Sequence, residues 1–530
     1  MFVKRIVSAL LMCFAASVTL AQIPSLVEQD GRHALLVDGE PYLILGAQMH
    51  NSSAWPETLA GVWQSAAYLH ANTVEAPVYW EQLEEKPGQF DFTNVDALVV
   101  QAREHRLHLV LLWFGTWKNA RGHYTPEWIK LDTRRFPRLM DANGRLTDSM
   151  SPFGKETLDA DRTAFAALMS HLKKIDGQDH TVLMVQVENE AGSLDSVRDY
   201  SPEAERQFKA NIPESLVRAL HLPSGSWESV FGTAAAEKFQ AYSVASYIDK
   251  VAEAGKAEYP LPMYVNVWVR SPDDLEPEPP RSYPSGGAVD TVLDLWKATV
   301  HSIDMISPDV YSGGDINYRR IVSPYNRPDN ALFVPENSHD PQFARYVFSV
   351  LGQGGVGFSV WGMDKTNFDS PIDPLKNPSF EELAGFSRTF LLLGSMDRQL
   401  AALNFRGQLQ TALEGDSPQS HRMTFGKWQA VASFGYRDEG EPLGVAGPHG
   451  VLLAAQIAPD EFLVTGYDAH IEFHLANSGP QERWQILRVE EGSYRDGEWK
   501  VRRWLNGDEC DFGVNFGAAS QIVHIRMGRY

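Results

Sequence analysis

The chain has 530 residues, 43% of them hydrophobic and 14 of them Trp, which excludes a disordered polymer and supplies apolar side chains for more than one core. Its formal charge of −21 at pH 7 repels phosphate backbones and gives no attraction to anionic lipid, so neither nucleic acid nor a membrane is an expected partner. A neutral sugar is compatible with that charge.

Lys4 and Arg5 precede an apolar run from Ile6 to Val18, and Thr19-Leu20-Ala21 follows before Gln22. This is the three-part layout of a secretory signal, and the run is too short to span a membrane well. Residues 1–21 are therefore expected to be removed, leaving a periplasmic or secreted protein whose formal charge falls from −21 to −23 with the loss of Lys4 and Arg5. Lipoprotein processing at Cys13 is disfavoured, because Leu11 and Met12 supply no small residue before it. With Cys13 gone, Cys510 is the remaining cysteine; an intrachain disulfide is excluded and the thiol is expected to be structural.

Ala34-Leu35-Leu36-Val37-Asp38-Gly39-Glu40-Pro41 reads as a strand and hairpin turn. Beyond it, apolar strand-like runs alternate with amphipathic helical stretches, the pattern of a parallel sheet with crossover helices. Eight strands are predicted, at 43–49, 73–78, 107–113, 182–187, 262–268, 303–311, 332–335 and 356–361. Between them, Val95, Leu98, Val99 and Ala102 form one helical stripe. Phe165, Leu168, Met169 and Leu172 form a second, and Phe343, Tyr346, Val347 and Val350 a third. Eight such units fit a (β/α)8 TIM barrel over residues 22–395, an α/β fold; an open doubly wound sheet is the alternative. Insertions at 192–233 and 271–287 follow predicted strands and are expected to wall the barrel mouth.

From residue 396 to 530 the texture changes to short β-rich segments, such as 428–434, 450–457, 461–465, 471–475, 484–489 and 522–525, separated by Gly, Asp and Pro. A C-terminal all-β sandwich is expected there.

Two of the apolar runs end in a carboxylate: Val185-Gln186-Val187-Glu188-Asn189-Glu190 and Phe333-Val334-Pro335-Glu336-Asn337. Burying a carboxylate costs several kcal/mol unless it is paired or hydrogen-bonded. Either ending alone is unremarkable; on the fourth and seventh strands of a barrel, they face each other across the mouth. Retaining glycoside hydrolysis needs two carboxyl groups about 5 to 5.5 Å apart, one protonated to assist the leaving oxygen and one ionised to attack the anomeric carbon. Glu190 is assigned as acid/base and Glu336 as nucleophile. Glu188 is the rival of Glu190, since residues two apart on a strand point the same way, but one step deeper it is expected to join a buried hydrogen-bond network.

Val187-Glu188-Asn189-Glu190-Ala191-Gly192 resembles the acid/base motif of glycoside hydrolase family 35, the β-galactosidases. Trp80-Glu81-Gln82-Leu83-Glu84-Glu85-Lys86-Pro87-Gly88-Gln89-Phe90-Asp91-Phe92 resembles that family's second-strand end and its Gly-x-Phe-Asp-Phe turn. The likeness runs over residues 30–395. It implies a retaining exo-β-galactosidase in which Asn189 bonds the sugar 2-hydroxyl and Tyr311 holds the nucleophile in place. Glu81 stands where many members have Asn, and Trp117-Lys118-Asn119 where they have a Glu-Trp pair that reads galactose. Glu81 and Asn119 are therefore candidate contacts that shape sugar choice. The β-rich tail suggests a bacterial branch, and some bacterial relatives act on the galactose side chains of plant xyloglucan.

Trp113, Trp117, Trp268 and Trp361 stand at strand ends and can stack on a pyranose or simply pack a core; Trp361, before Gly362-Met363-Asp364, is the best placed for a ligand. Gly352-Gln353-Gly354-Gly355-Val356-Gly357 matches a dinucleotide loop in letters only, because it precedes a strand instead of joining strand to helix. There is no His-Glu-x-x-His, and Ser359 lacks the following glycine of a nucleophile elbow. Neither a metal nor a cofactor is expected; the partner is an oligosaccharide, and nothing specifies an oligomeric state. Two other readings stay open: a related barrel glycosidase such as a β-glucosidase or arabinosidase, and a non-catalytic carbohydrate-binding protein. N-terminal sequencing of the exported protein is expected to begin at Gln22; a mature chain beginning at Met1 would refute the signal.

Overall fold

The computed structural model describes residues 22–366, 377–415, 420–434, 449–477, 482–495, 497–517, 519 and 521–530. The expected signal at 1–21, Cys13 included, lies outside them.

Eight parallel strands close into a barrel. They are β1 (Ile44–Gln48), β2 (Thr73–Tyr79), β3 (His108–Lys118), β4 (Val182–Asn189), β5 (Met263–Trp268), β6 (Met305–Val310), β7 (Phe333–Asn337) and β8 (Gly357–Trp361). Each pairs with its sequence neighbours, β8 returns to β1, and the alternative of an open doubly wound sheet is excluded. Strands buried on both faces read as near-continuous apolar runs, which is why all eight were visible. The helices cover them as expected. Val95, Leu98, Val99 and Ala102 are the buried face of the helix Thr93–Glu104, and Phe165, Leu168, Met169 and Leu172 lie on the buried face of Lys155–Asp176. The third stripe is split between a 3-10 turn, Pro341–Arg345, and the helix Tyr346–Gly352.

Strand β3 runs five residues past its expected end at Trp113. Gly115 interrupts the apolar run, yet the backbone needs glycine there: a Cβ would stand 2.3 Å from Trp113 Nε1 and 2.9 Å from Glu188 Oε1. Pairing with β4 is irregular between Trp113 and Lys118, and resumes where Lys118 sits opposite Asn189.

Two antiparallel sheets, of six and four strands, form the C-terminal sandwich. Its first strand is Leu409–Leu413; the helix Asp397–Phe405, on the sandwich side of the expected boundary, lies between barrel and sandwich. In the six-stranded sheet, Val451–Ala458 and Glu461–Tyr467 are buried on both faces over most of their length, whereas Glu498–Leu505 is largely exposed. In Val451–Ala458, Leu452 and Ala454 join the sandwich core, while Val451, Leu453 and Ala455 pack into the barrel's core. Alternation along a strand sends successive side chains to opposite faces, so Val451-Leu452-Leu453-Ala454-Ala455 serves two cores at once. The seam is also hydrogen-bonded: Thr411 Oγ1 donates to the Phe348 carbonyl at 2.8 Å, and the Thr389 and Tyr467 hydroxyls lie 3.2 Å apart. Cys510 is a buried free thiol in the sandwich core. Among the described residues no helix is long and apolar enough to cross a membrane.

Trp428 is fully buried in the sandwich, with its indole N–H on Asp460 Oδ1 at 2.8 Å. Trp428→Ala is expected to lower the free energy of unfolding by about 3 to 5 kcal/mol. Denaturant titration followed by circular dichroism reads the loss.

Candidate active site

At the mouth of the barrel, the ends of β1, β3, β4, β5, β6, β7 and β8 surround a cavity of about 500 Å³ whose lining includes Glu190, Glu336, Asp309, Tyr311 and Asn119. Carboxylate oxygens of Glu190, Asp309 and Glu336 all lie within 4.8 Å of one another. All three residues are over nine-tenths buried. Register explains the closeness on one side, since Asp309 of β6 sits directly opposite Glu336 of β7. Glu190 comes from just beyond β4, where the chain leaves the sheet in a left-handed conformation, φ 65° at Glu188 and 43° at Glu190. Such angles are costly for residues with a Cβ and persist where surrounding contacts hold them. Here the Glu190 N–H donates to Asn266 Oδ1 at 2.9 Å, and its carbonyl accepts from the Ala120 N–H at 2.9 Å.

Each carboxyl has distinct surroundings. Glu336 accepts from the Tyr311 hydroxyl at one oxygen and from Gln48 Nε2 at the other, 3.2 Å away. Both of its oxygens are thereby held in place. Burial, and then the charge of Glu336 beside it, push the Glu190 carboxyl up to about 7, with Lys118 pulling the other way. Asp309 is raised well above the usual carboxylate range by burial and by Glu336 and Glu190. Its Oδ2 accepts from Asn266 Nδ2 at 2.7 Å, whereas Oδ1 is buried without a partner. A proton on Asp309 would relieve the crowding of charge. Oxygen-only ligands would suit a hard cation, but protein donors from Tyr311, Gln48 and Asn266 already point into the set, the arrangement of a hydrogen-bonded carboxyl network.

Glu188 is 1% exposed and takes no part in the cavity. Its Oε2 accepts from the Trp117 N–H at 2.6 Å, and burial together with Asp161 pushes it well above the ordinary range. Asp161 in turn accepts from Trp113 Nε1 at 2.9 Å and Thr116 Oγ1 at 2.6 Å. A further carboxyl, Glu75, is wholly buried on β2, raised by burial, and 3.3 Å from the Tyr264 hydroxyl.

The other expected contacts divide. Tyr311, Trp268, Trp361 and Asn119 line the same cavity as the carboxylates, and Asn119 brings an unpartnered buried Oδ1. Asn189 is fully buried; its Oδ1 accepts from Lys118 Nζ at 2.9 Å and its Nδ2 has no partner. Two expectations need correction. Trp117 is fully buried against Tyr247, with its indole N–H on Ser149 Oγ at 3.2 Å, so it cannot stack on a ligand. Glu81 faces an adjoining cavity, where it pairs with Lys130 Nζ at 2.6 Å. Trp113 likewise belongs to the core. Of the two insertions, 271–287 supplies Ser271 to the wall, whereas the helix Trp227–Phe231 of the first packs against Phe239 and Tyr242, away from the cavity.

Sequence reasoning missed Gln48, Lys118, Asn266 and Asp309. All four are polar residues in the last three positions of a barrel strand; that position is a partial signal, and does not say which of them meet across strands.

Residues 34–266 match the model of glycosyl hydrolases family 35, and residues 386–517 match a domain of unknown function, DUF5597. A β-galactosidase of Xanthomonas manihotis is 28% identical over 190 residues, covering 34% of this chain and 29% of that protein. The chain thus matches less than a third of the length of this curated relative. Among solved structures, β-galactosidase from Bacillus circulans sp. alkalophilus aligns with a TM-score of 0.49 at 13% identity over 68% of this chain and 57% of its own. That from the psychrophilic Marinomonas ef1 aligns at 0.47 and 12% identity, over 68% and 61%. The residues that match the family 35 model, 34–266, carry β1 to β4 and the Glu190 strand end.

Proposed function

We propose that this protein is a retaining exo-β-galactosidase, secreted or periplasmic, that removes terminal galactose from plant cell-wall oligosaccharides such as the side chains of xyloglucan. The observation that carries the reading is the pair Glu190 and Glu336, with carboxylate oxygens within 4.8 Å in one cavity. That spacing suits double displacement and is too short for a water to stand between the two, as inversion requires.

In the first step a Glu336 oxygen attacks the anomeric carbon while Glu190 gives its proton to the departing glycosidic oxygen, leaving a galactosyl ester on Glu336. Glu190, now ionised, takes a proton from water; the water oxygen bonds to the anomeric carbon and the ester breaks, restoring both groups. The electrostatics favour this exchange of roles. The charge of Glu336 helps hold Glu190 protonated, and esterification removes that charge, so Glu190 becomes a stronger acid when it has just delivered its proton and must stay ionised to serve as base. Tyr311 and Gln48 position the nucleophile. Asn119, which lines the cavity with a free acceptor, supports keeping β-glucosidase or arabinosidase activity as a second reading, and a panel of aryl glycosides separates them.

Glu336→Gly is expected to abolish hydrolysis of an aryl β-galactoside, with partial rescue by azide, which fills the space of the lost carboxylate; full activity in the variant would sink the assignment. The wild-type rate is expected to fall as pH rises through about 7, where Glu190 loses the proton that the first step needs. Glu190→Gln is expected to lose that alkaline limb and to reduce kcat on a poor leaving group by roughly 10² to 10⁴. An unchanged pH profile in the variant would assign the limb to another group.

A further inference from the structure

Beside the carboxylate cavity lies a second and larger one, of about 1000 Å³. Asn51 and Ser52, in the loop after β1, line both. The two therefore adjoin across a shared sill, and at that sill Asn51 Oδ1 is a buried acceptor without a partner.

The second cavity has its own construction. One wall is a file of three aromatic rings: Trp55 stacks on Tyr79 with centroids 6.0 Å apart and planes at 20°, and Tyr79 on Tyr124 at 5.6 Å and 18°. Tyr79 is fixed within this file by the Ala54 N–H, which donates to its hydroxyl at 3.1 Å. Trp55, at the open end, is 41% exposed. A large aromatic left half-bare on a rim where its neighbours are packed presents a flat apolar face to solvent. The facing wall is polar, and comes from the Trp80–Phe92 stretch: Glu81, Gln82, Glu85 and Gln89 line it. The helix Trp80–Leu83 and the turn at Gly88, φ 72°, hold that stretch in place, and Glu84 ties the two together by accepting from Trp80 Nε1 at 2.8 Å and the Gly88 N–H at 2.7 Å.

Aromatic faces on one side and amide and carboxylate edges on the other match a sugar ring, which is apolar on its C–H face and hydroxylated at its rim. Carboxylates outnumber cations along the lining, so a polyanionic chain is disfavoured. We propose that this cavity binds the leaving-group portion of a neutral, branched oligosaccharide, with Trp55 as the stacking platform, while the terminal sugar occupies the carboxylate cavity. The inference rests on the galactosidase reading for the order of the two parts, and it accounts for Glu81, which faces the main chain of the substrate rather than its terminal sugar.

Two measurements test it. The first compares kcat/KM of a galactosylated xyloglucan oligosaccharide with that of 4-nitrophenyl β-galactoside, in wild type and in Trp55→Ala; the exposed position of Trp55 makes the variant safe to fold. The ratio is expected to fall about fivefold or more, mostly through KM for the oligosaccharide. An unchanged ratio would overturn the proposal. The second uses the same oligosaccharide freed of galactose, titrated calorimetrically into both proteins together with an oligogalacturonate of equal length. Wild type is expected to bind the neutral chain more tightly than the acidic one, and Trp55→Ala to bind the neutral chain about fivefold more weakly. Equal affinity in the two proteins, or preference for the acidic chain, would overturn the proposal. Binding needs no catalysis, so this arm decides the cavity's role even if the aryl galactoside is not cleaved, in which case it is the galactosidase reading that fails.

Discussion

Three carboxyl groups crowded into one buried mouth set the terms for everything around them. Glu190, Asp309 and Glu336 cannot all be ionised at such distances in a water-poor site, so the protein distributes donors unequally. Glu336 receives two, from Tyr311 and Gln48. Asp309 receives one from Asn266, and that same Asn266 accepts from the Glu190 backbone and so couples the two strands. The inequality gives three otherwise similar groups different surroundings. Lys118 adds a single positive charge that favours ionised Glu190 without quenching the pair.

The barrel was legible because its strands are buried on both faces, so each reads as an unbroken apolar run bounded by polar turns. The two glutamates were legible for the related reason that a charge is conspicuous at the end of such a run. What escaped were residues whose meaning depends on pairing across strands. Asp309 becomes part of the site by standing opposite Glu336 in register, and no local pattern in β6 announces that. Trp117 shows the converse. It looked like a sugar platform, yet the continuation of β3 past Gly115 turns its ring into the core against Tyr247. Glu81 was correctly noticed as unusual, but whether it meets the terminal sugar or the neighbouring cavity depends on the helical turn Trp80–Leu83, too short to leave a periodic signature.

The sandwich is joined to the barrel through the strands Leu409–Leu413, Val451–Ala458 and Glu461–Tyr467 of its six-stranded sheet. Strand Val451–Ala458 sends alternate side chains into two cores, and the Tyr467 ring is gripped from the barrel side by the Arg388 guanidinium, 3.8 Å from its centroid, and by Thr389. A seam of this kind resists hinge motion, because opening it would expose apolar surface on both partners. The helix Tyr346–Gly352, which follows β7, lies between the sandwich strand Leu409–Leu413 and β8.

The left-handed backbone at Glu188 and Glu190 has a further consequence, on the scale of evolution. A glycine at either position would relieve the strained angle, and at position 190 it would also remove a carboxyl that burial and Glu336 disfavour in its charged form. Selection for a stable fold and selection for chemistry therefore pull in opposite directions at the same residue. A duplicated copy of this chain released from functional constraint would have an easy path to greater stability, and the first step along it would erase the carboxyl at position 190.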